Sequence, residues 1–180
     1  MGAIAQPFAC GVGGTLRRCA PAPDWAYLMF PEADIPYGRL IKSTARAYGV
    51  DPHLVAAVVA AESRFDPAAI SSKGAVGLMQ VVPQSMEEWE LLLEPGHNLR
   101  AGVAHLKYLL EFFDGDLLKS LAAYNCGLGR LQRTGSIPAG GETPLFLRNV
   151  LKYYAQYWSG TPGPGFPADA AQEHQAGIPR

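Results

Sequence analysis

The feature that most constrains the fold is an uninterrupted apolar run over residues 54–61. Asp51 and Pro52 precede it, a pair typical of a helix N-terminus, because the carboxylate accepts free backbone N–H groups and proline lacks one. The run is much shorter than the roughly 20 residues that a membrane-spanning helix needs. The sequence therefore predicts a buried helix from Pro52 to about Arg64. Its apolar stripe, at helical spacing, consists of Val55, Val58 and Val59.

Helical patterns continue on both sides of this segment, and no stretch alternates as a half-buried strand would. Asn98 precedes another apolar stripe, while Asp116 and Gly127 are start and stop signals of the helix that follows. The patterns predict helices over residues 37–48, 52–64, 83–92, 98–113, 116–125 and 143–158, with a loop over 133–141. The predicted fold class is therefore all-α.

Length and composition predict one domain with two tails. The chain has 180 residues, of which 48% are hydrophobic, enough for one substantial core. Residues 1–36 are predicted to form an arm, either the remnant of an export segment or a loose extension. Residues 37–158 form the predicted domain, and the Gly- and Pro-rich residues 159–180 form a flexible tail. Cys10 and Cys19 fit either a disulfide in an oxidising compartment or two free thiols.

The charge balance excludes one class of partner. Lys and Arg number 15 and Asp and Glu number 16, so a nucleic-acid binder that neutralises phosphates is not expected.

The 3 cysteines and 4 histidines show no ligand spacing, so neither a metal site nor a cofactor is predicted. His53, near a helix N-terminus, is expected to be solvated. No membrane-spanning segment is predicted.

Glu62 is the candidate for chemistry on the buried helix. It follows the three valines at helical spacing, so it continues their stripe toward the core or a cleft. Apolar surroundings raise the pKa of a carboxyl group, as a general acid near neutral pH requires. Position alone leaves a second interpretation open, in which Glu62 ends the helix and reaches solvent or caps a loop.

Several motifs follow one another in a fixed order after this residue. They are Glu62-Ser63, Ser-Ser-Lys-Gly-Ala-Val-Gly-Leu-Met-Gln over residues 71–80, Asn-Leu-Arg-Ala-Gly over 98–102, Ala-Tyr-Asn-Cys-Gly over 123–127, and Glu142-Thr143. In sequence and spacing they resemble the catalytic domain of soluble lytic transglycosylases, a family related in fold to goose-type lysozymes. The resemblance covers residues 37–158 and implies a single lysozyme-like helical domain with a glycan-binding cleft.

The resemblance also implies roles for individual residues. Glu62 matches the catalytic acid and base. The implied substrate-binding residues are Ser63, Ser71, Gly77, Met79, Gln80, Tyr124, Asn125 and Phe146. Alternatives stay open for five of them. Ser63 and Ser71 can cap or close turns, and Gly77 can serve a turn. Met79 can fill the core, and Tyr124 can be a core aromatic. Phe146 departs from the family, which usually has tyrosine there, and this puts rate or substrate preference in doubt.

The implied function is a peptidoglycan lytic transglycosylase, a lyase that cleaves the β-1,4 bond between N-acetylmuramic acid and N-acetylglucosamine. The product would be a 1,6-anhydro-muramic acid. The matched motifs supply one carboxylate as the acid and base, which suffices if the nucleophile is the sugar's own 6-hydroxyl.

Two other functions stay open, and the sequence also leaves a chitin-type substrate open. One is a lysozyme-like muramidase, which would need a second carboxylate across the cleft; the other is a catalytically impaired wall-binding component of a secretion or pilus assembly. The implied partners are peptidoglycan glycan strands, with secretion, pilus or cell-wall machinery as a further partner. The implied location is periplasmic or otherwise extracytoplasmic.

Overall fold

The computed structural model describes residues 21–159, and these residues form a helical fold. Cys10, Cys19 and nearly all of the predicted C-terminal tail lie outside the described residues. Within residues 21–159 the helices are α1 (Asp24–Leu28), α2 (Gly38–Tyr48), α3 (Pro52–Glu62), α4 (Met86–Leu92), α5 (Pro95–Phe112), α6 (Leu117–Cys126), α7 (Leu128–Thr134) and α8 (Glu142–Ser159). In this range extended pairing is limited to isolated antiparallel bridges of Val76 with Ile70 and with Val81. The all-α prediction is confirmed.

Helix α3 lies at the centre of the core. All residues over 50–60 are buried, and residues 54–59 have no exposed surface at all. Asp51 caps the helix by accepting the His53 backbone N–H at 2.8 Å, with Pro52 in the first turn, as predicted. Because an apolar helix must be covered on all faces to be stable in water, neighbouring helices enclose it, and α8, α2 and α1 pack directly against α3.

A buried polar cluster clamps the beginning of α3 to the end of α8. The Asp51 carboxylate accepts the Tyr154 hydroxyl at 2.8 Å and pairs with His53 Nδ1 at 2.9 Å. The Trp158 ring stacks on the His53 ring, with 4.3 Å between the centroids. The two helices are therefore antiparallel, and α8 begins at the end of α3 that carries Glu62.

The expectation that His53 is solvated is wrong. The residue is 1% exposed, although it stands in the first turn of its helix. An imidazole can leave water when a partner satisfies it, and Asp51 and the Trp158 ring supply that environment.

The core includes residues that precede position 37, within the predicted N-terminal arm of residues 1–36. Helix α1 lies within that predicted arm, and its neighbourhood contributes buried side chains to the core: Ala26, Tyr27, Phe30 and Ile35. The Tyr27 hydroxyl donates to the Val50 carbonyl at 3.0 Å, which ties α1 to the segment leading into α3. A helix of 5 residues is too short to display a helical period, so the sequence pattern did not reveal it.

Several helix boundaries differ from the sequence prediction. Helix α5 begins at Pro95, because the Glu94 carboxylate accepts the backbone N–H groups of Gly96 and His97 and so caps it earlier. Asn98, the predicted cap, lies inside the helix and is fully buried. Helix α7 was not predicted, since its 7 residues make too few turns for a recognisable stripe.

Close packing of α5 against the segment before α4 depends on Gly102. A Cβ atom at this position would lie 2.5 Å from Met79 Sδ and 2.6 Å from Met79 Cβ, closer than non-bonded atoms can approach. Both residues are buried. Glycine at position 102 therefore allows Met79 to fill the core beside α5.

We expect Gly102→Ala to lower the free energy of unfolding by about 1–3 kcal/mol, because the added methyl group overpacks the contact with Met79. Urea unfolding followed by circular dichroism measures the effect. Gly129→Ala in α7 is the matched control: there the nearest atom to an added Cβ is Arg133 Nη1 at 3.4 Å, and alanine favours helix by up to about 1 kcal/mol. Equal stability of Gly102→Ala and wild type would contradict the close packing.

Candidate active site

Glu62 is the last residue of α3, where the buried helix reaches the protein surface. Burial raises the pKa of its carboxyl group from 4.5 to about 8, and the negative charge of Glu142 adds to the shift. No residue in the described range hydrogen-bonds the carboxyl group, and no fully buried side-chain oxygen in that range lacks a partner. The Glu62 oxygens therefore face the surface, protonated near neutral pH and available to a ligand.

Backbone strain follows directly after this residue. Arg64 (φ 54°) and Phe65 (φ 66°) both adopt the left-handed region, which costs a non-glycine residue about 1–2 kcal/mol. The Ser63 hydroxyl lies 3.2 Å from a carbonyl oxygen one turn back on α3 and 2.8 Å from the Leu78 carbonyl oxygen, to which it donates. Ser63 therefore connects the end of α3 to residue 78 by a hydrogen bond, which agrees with the structural alternative for this serine.

Asn98 organises the segment to which Ser63 is hydrogen-bonded. Its Oδ1 accepts the Met79 backbone N–H at 2.7 Å, and its Nδ2 donates to the carbonyl oxygens of Val76 and Leu92 at 2.7 and 2.9 Å. The amide is fully buried and its hydrogen-bonding groups have partners, so it holds residues 76–79 in one conformation. Gly77 (φ 75°) packs directly on this amide, and a Cβ there would collide with it.

Gln80 and Ser71 stabilise the same segment from its ends. Gln80 has φ 50°, and its Nε2 donates to the carbonyl oxygens of Ala69 and Gly77, both at 3.0 Å. The Ser71 hydroxyl accepts the N–H groups of the two residues that close its turn, Lys73 and Ala75. Ser71 therefore closes a turn, and the side-chain oxygen of Gln80 remains the acceptor that could meet a ligand.

Tyr124 brings α6 to this segment and to Glu62. Its hydroxyl donates to the Met79 carbonyl at 2.9 Å. Burial raises the pKa of the phenol well above its ordinary value, and the charge of Glu62 adds to the shift. The phenol therefore stays protonated beside Glu62, and the ring is half-buried rather than a closed part of the core.

The N-terminus of α8 completes the surroundings of Glu62. The Thr143 hydroxyl donates to Asn125 Oδ1 at 2.9 Å, which fixes the amide and leaves its N–H groups without a partner in the described residues. Glu142 forms an exposed ion pair with Lys73, with 2.9 Å between Nζ and Oε2, and this lowers the pKa of Glu142. Glu142 therefore stays ionised and acts on Glu62 as a nearby negative charge.

Two predicted substrate-binding residues have buried side chains. Met79 has no exposed surface, and Phe146 is 6% exposed within the main hydrophobic core. Met79 takes part in the site through its backbone, since its N–H and carbonyl are bound by Asn98 and Tyr124. The ring of Phe146 packs where a tyrosine would bring a hydroxyl, so this chain has a purely apolar contact there.

Sequence reasoning missed two contributions to this site. Asn98 was interpreted as a helix cap, although it lies in a matched motif, and its role requires the contact of α5 with residues 76–79. Glu142 was noted only as part of a motif, and its electrostatic effect on Glu62 arises because α8 packs antiparallel on α3. The roles of Asn98 and Glu142 both depend on contacts between segments that are distant in sequence, and a local sequence pattern does not predict such contacts.

Within residues 21–159 no group of three or more His, Cys, Asp or Glu side chains is placed to hold a metal ion. In the same part of the chain, no helix combines the length and the hydropathy that crossing a bilayer requires.

Residues 39–144 match the family model described as the Transglycosylase SLT domain. The matched range includes α3, the segment pinned by Asn98, Tyr124 and the first residues of α8. The chain belongs to this family. The predicted family resemblance is thereby confirmed.

Curated relatives and solved structures agree with this membership. The chain is 33% identical over 117 residues to the membrane-bound lytic murein transglycosylase C of Haemophilus influenzae, covering 54% of this chain and 33% of the relative. It is 39% identical over 101 residues to the membrane-bound lytic murein transglycosylase F of Desulfosudis oleivorans, covering 52% of this chain and 22% of the relative. The chain thus spans a third or less of the length of these relatives.

The fold is similar to that of solved lytic transglycosylases. An inactive mutant of lytic transglycosylase Slt from Pseudomonas aeruginosa superposes with a TM-score of 0.60 at 26% identity, over 76% of this chain and 26% of that one. The 70-kDa soluble lytic transglycosylase SLT70 of Escherichia coli gives a TM-score of 0.60 at 29% identity, over 69% and 25%. The lysozyme-like helical domain predicted from the motifs is confirmed.

We expect Glu62→Gln to stabilise the protein at alkaline pH. A carboxyl group whose pKa is about 8 in the folded state and 4.5 otherwise contributes its full stability below pH 4.5 and loses it as the pH rises to about 8. Glutamine carries no such penalty, so the variant should be more stable by roughly 2–4 kcal/mol at pH 9, after screening by solvent, and nearly equal at pH 4.

Thermal unfolding at the two pH values measures this difference. The control Glu90→Gln removes an exposed carboxylate from α4 and tests for the loss of one charge alone. A stability difference for Glu62→Gln that does not grow with pH would show that the carboxyl group is not held in a charge-disfavouring environment.

Proposed function

We propose that this domain is a peptidoglycan lytic transglycosylase, in which Glu62 alone acts first as the acid and then as the base. The observation that carries the proposal is the environment of Glu62, which keeps its carboxyl group protonated near neutral pH yet leaves its oxygens at the surface. A general acid needs both properties at once.

The first step cleaves the glycosidic bond. The protonated Glu62 carboxyl group donates its proton to the oxygen that links C1 of N-acetylmuramic acid to C4 of N-acetylglucosamine. The bond from C1 to this oxygen breaks, and C1 acquires oxocarbenium character. The leaving sugar departs with a free 4-hydroxyl, and Glu62 is left as a carboxylate.

The second step regenerates Glu62. The 6-hydroxyl oxygen of the same muramic acid attacks its own C1, while the Glu62 carboxylate accepts the hydroxyl proton. The new bond closes a 1,6-anhydro ring, so no water is consumed. Because attack within one sugar has a large effective molarity, a second protein carboxylate is not required as a nucleophile.

The neighbouring groups have roles in binding this substrate. Tyr124 presents a half-buried ring for a sugar face, and Asn125 offers the N–H groups that Thr143 leaves free. The Gln80 side-chain oxygen, which has no partner among the described residues, is a further acceptor for a sugar hydroxyl. Phe146 brings no hydroxyl, so orientation of the acid depends on packing and not on a hydrogen bond.

The relatives support this proposal. The similar proteins from H. influenzae and D. oleivorans are named as lytic murein transglycosylases, and the P. aeruginosa structure is an inactive mutant in which glutamine replaces one glutamate. Murein lies outside the cytoplasmic membrane, so the proposed place of action is extracytoplasmic. Secretion, pilus or cell-wall machinery is proposed as a further partner.

A muramidase is the second candidate, and Glu142 is the observation that favours it. This carboxylate lies near enough to Glu62 to raise its pKa and stays ionised, as a base or nucleophile must. Its position against Lys73 and its exposure to solvent favour a purely electrostatic role. The two candidates differ in product, since a muramidase adds one water to the cleaved strand.

We expect purified peptidoglycan to yield fragments that end in 1,6-anhydro-muramic acid, and Glu62→Gln to reduce their rate of formation at least about a thousandfold. The wild-type rate should fall as the pH rises through about 8, since the first step needs the protonated carboxyl group. Mass spectrometry of the fragments checks both expectations. Fragments heavier by one water would contradict the transglycosylase and favour the muramidase.

We expect Glu142→Gln to shift the fall in rate at alkaline pH, the alkaline limb of the pH–rate profile, to lower pH. The reason is that removal of a nearby negative charge lowers the pKa of Glu62. The fall in the maximal rate should stay within about tenfold. Lys73→Gln is the matched control: it breaks the same ion pair but keeps the Glu142 charge, so the limb should not move to lower pH. A loss of a thousandfold or more with Glu142→Gln would assign this residue a chemical role.

A further inference from the structure

A row of exposed aromatic rings runs along one face of α5. We call His105, Tyr108 and Phe112 the aromatic ladder; they are three and four positions apart on the helix, so they share one face. Ring centroids are 6.4 Å apart between His105 and Tyr108 and 6.0 Å apart between Tyr108 and Phe112. Tyr108 is 50% exposed and Phe112 is 44% exposed. Exposed aromatic side chains that adjoin one another on consecutive turns form one contiguous surface, as binding surfaces do.

The aromatic ladder begins at the candidate active site. The His105 ring lies 5.4 Å from the ring of Tyr124, and Tyr124 is close enough to Glu62 for the two groups to interact electrostatically. The ladder is therefore continuous with the site and extends from it toward the C-terminus of α5. A ligand that fills the site and continues in a line would meet these rings in succession.

The chemistry of the ladder is apolar, with little free charge at its edges. Partial desolvation by its neighbours lowers the pKa of His105, which favours the neutral imidazole. Lys107 and Glu111, which lie between the ladder positions, pair with each other at 3.7 Å, and Lys107 also donates to the Tyr48 carbonyl. A strongly charged partner would find few complementary groups here. Neutral rings that carry a polar edge suit a ligand with apolar faces and a hydroxyl rim.

We propose that the aromatic ladder binds the glycan strand beyond the cleavage site, with successive sugar rings stacked on Tyr108 and Phe112. The inference rests on the proposed function, which makes a linear β-linked glycan the ligand of the adjoining site. The ladder would hold the strand during cleavage and favour long strands over short fragments. A second copy of this chain is the other occupant that an exposed aromatic face can take, and the test distinguishes the two.

The experiment measures binding to insoluble peptidoglycan in the Glu62→Gln background, where the strand is not consumed. Sedimentation should show that Tyr108→Ala and Phe112→Ala each weaken binding roughly three- to tenfold, and the double variant by the product. Tyr108→Phe keeps the ring and should bind within about twofold, whereas Tyr108→Leu keeps only apolar volume and should bind like alanine. Leu151→Ala, an exposed apolar residue on α8, is the matched control and should bind like the parent protein.

The outcomes separate this inference from the proposed function. If the wild type releases anhydro fragments but the ladder variants bind peptidoglycan as tightly as the parent, the ladder proposal is overturned and the proposed function stands. If the parent binds peptidoglycan through the ladder but the wild type releases no fragment, the proposed function fails alone. A wild-type dimer in sedimentation velocity that the double variant abolishes, with unchanged glycan binding, would assign the ladder to self-association. Circular dichroism of each variant verifies the fold.

Discussion

The burial of α3 on all of its faces is the constraint on which the other features depend. A helix without a solvent-exposed side must be enclosed by neighbours, and α8, α2 and α1 pack against it. The enclosure ends where α3 ends, and there the chain places a carboxyl group. Glu62 therefore acquires its unusual protonation from its place at the end of a core helix, without a dedicated hydrogen-bond partner in the described residues.

Around this carboxyl group, backbone N–H and carbonyl groups are partners in several of the hydrogen bonds that hold the site together. The Met79 N–H is bound by Asn98 and its carbonyl by Tyr124, while its side chain fills the core against Gly102. One residue thus joins the site to the packing of α5. A motif of small and amide residues in this stretch reflects the tight fit of its backbone as much as contact with a ligand.

The sequence predicted the fold class, the central helix and the importance of Glu62, because these depend on local patterns: Asp51 before proline, valines at helical spacing, and a glutamate that continues their stripe. It did not predict that α1 belongs to the core, because that helix is too short to show a period. Nor did it predict the burial of His53 or the role of Asn98. Both residues lie in polar networks whose partners are distant in sequence, and a polar residue carries no local sign of where its partner lies.

The clamp formed by Asp51, His53, Tyr154 and Trp158 lies at the opposite end of α3 from Glu62, about 16 Å away along a helix of this length. The two ends of this helix pair therefore have different roles. The clamped end satisfies its polar groups and anchors α3 and α8, whereas the other end contains strained backbone and a carboxyl group without a partner in the described residues. The alignment of the two helices thus has an anchor at the end of α3 that is remote from the candidate active site.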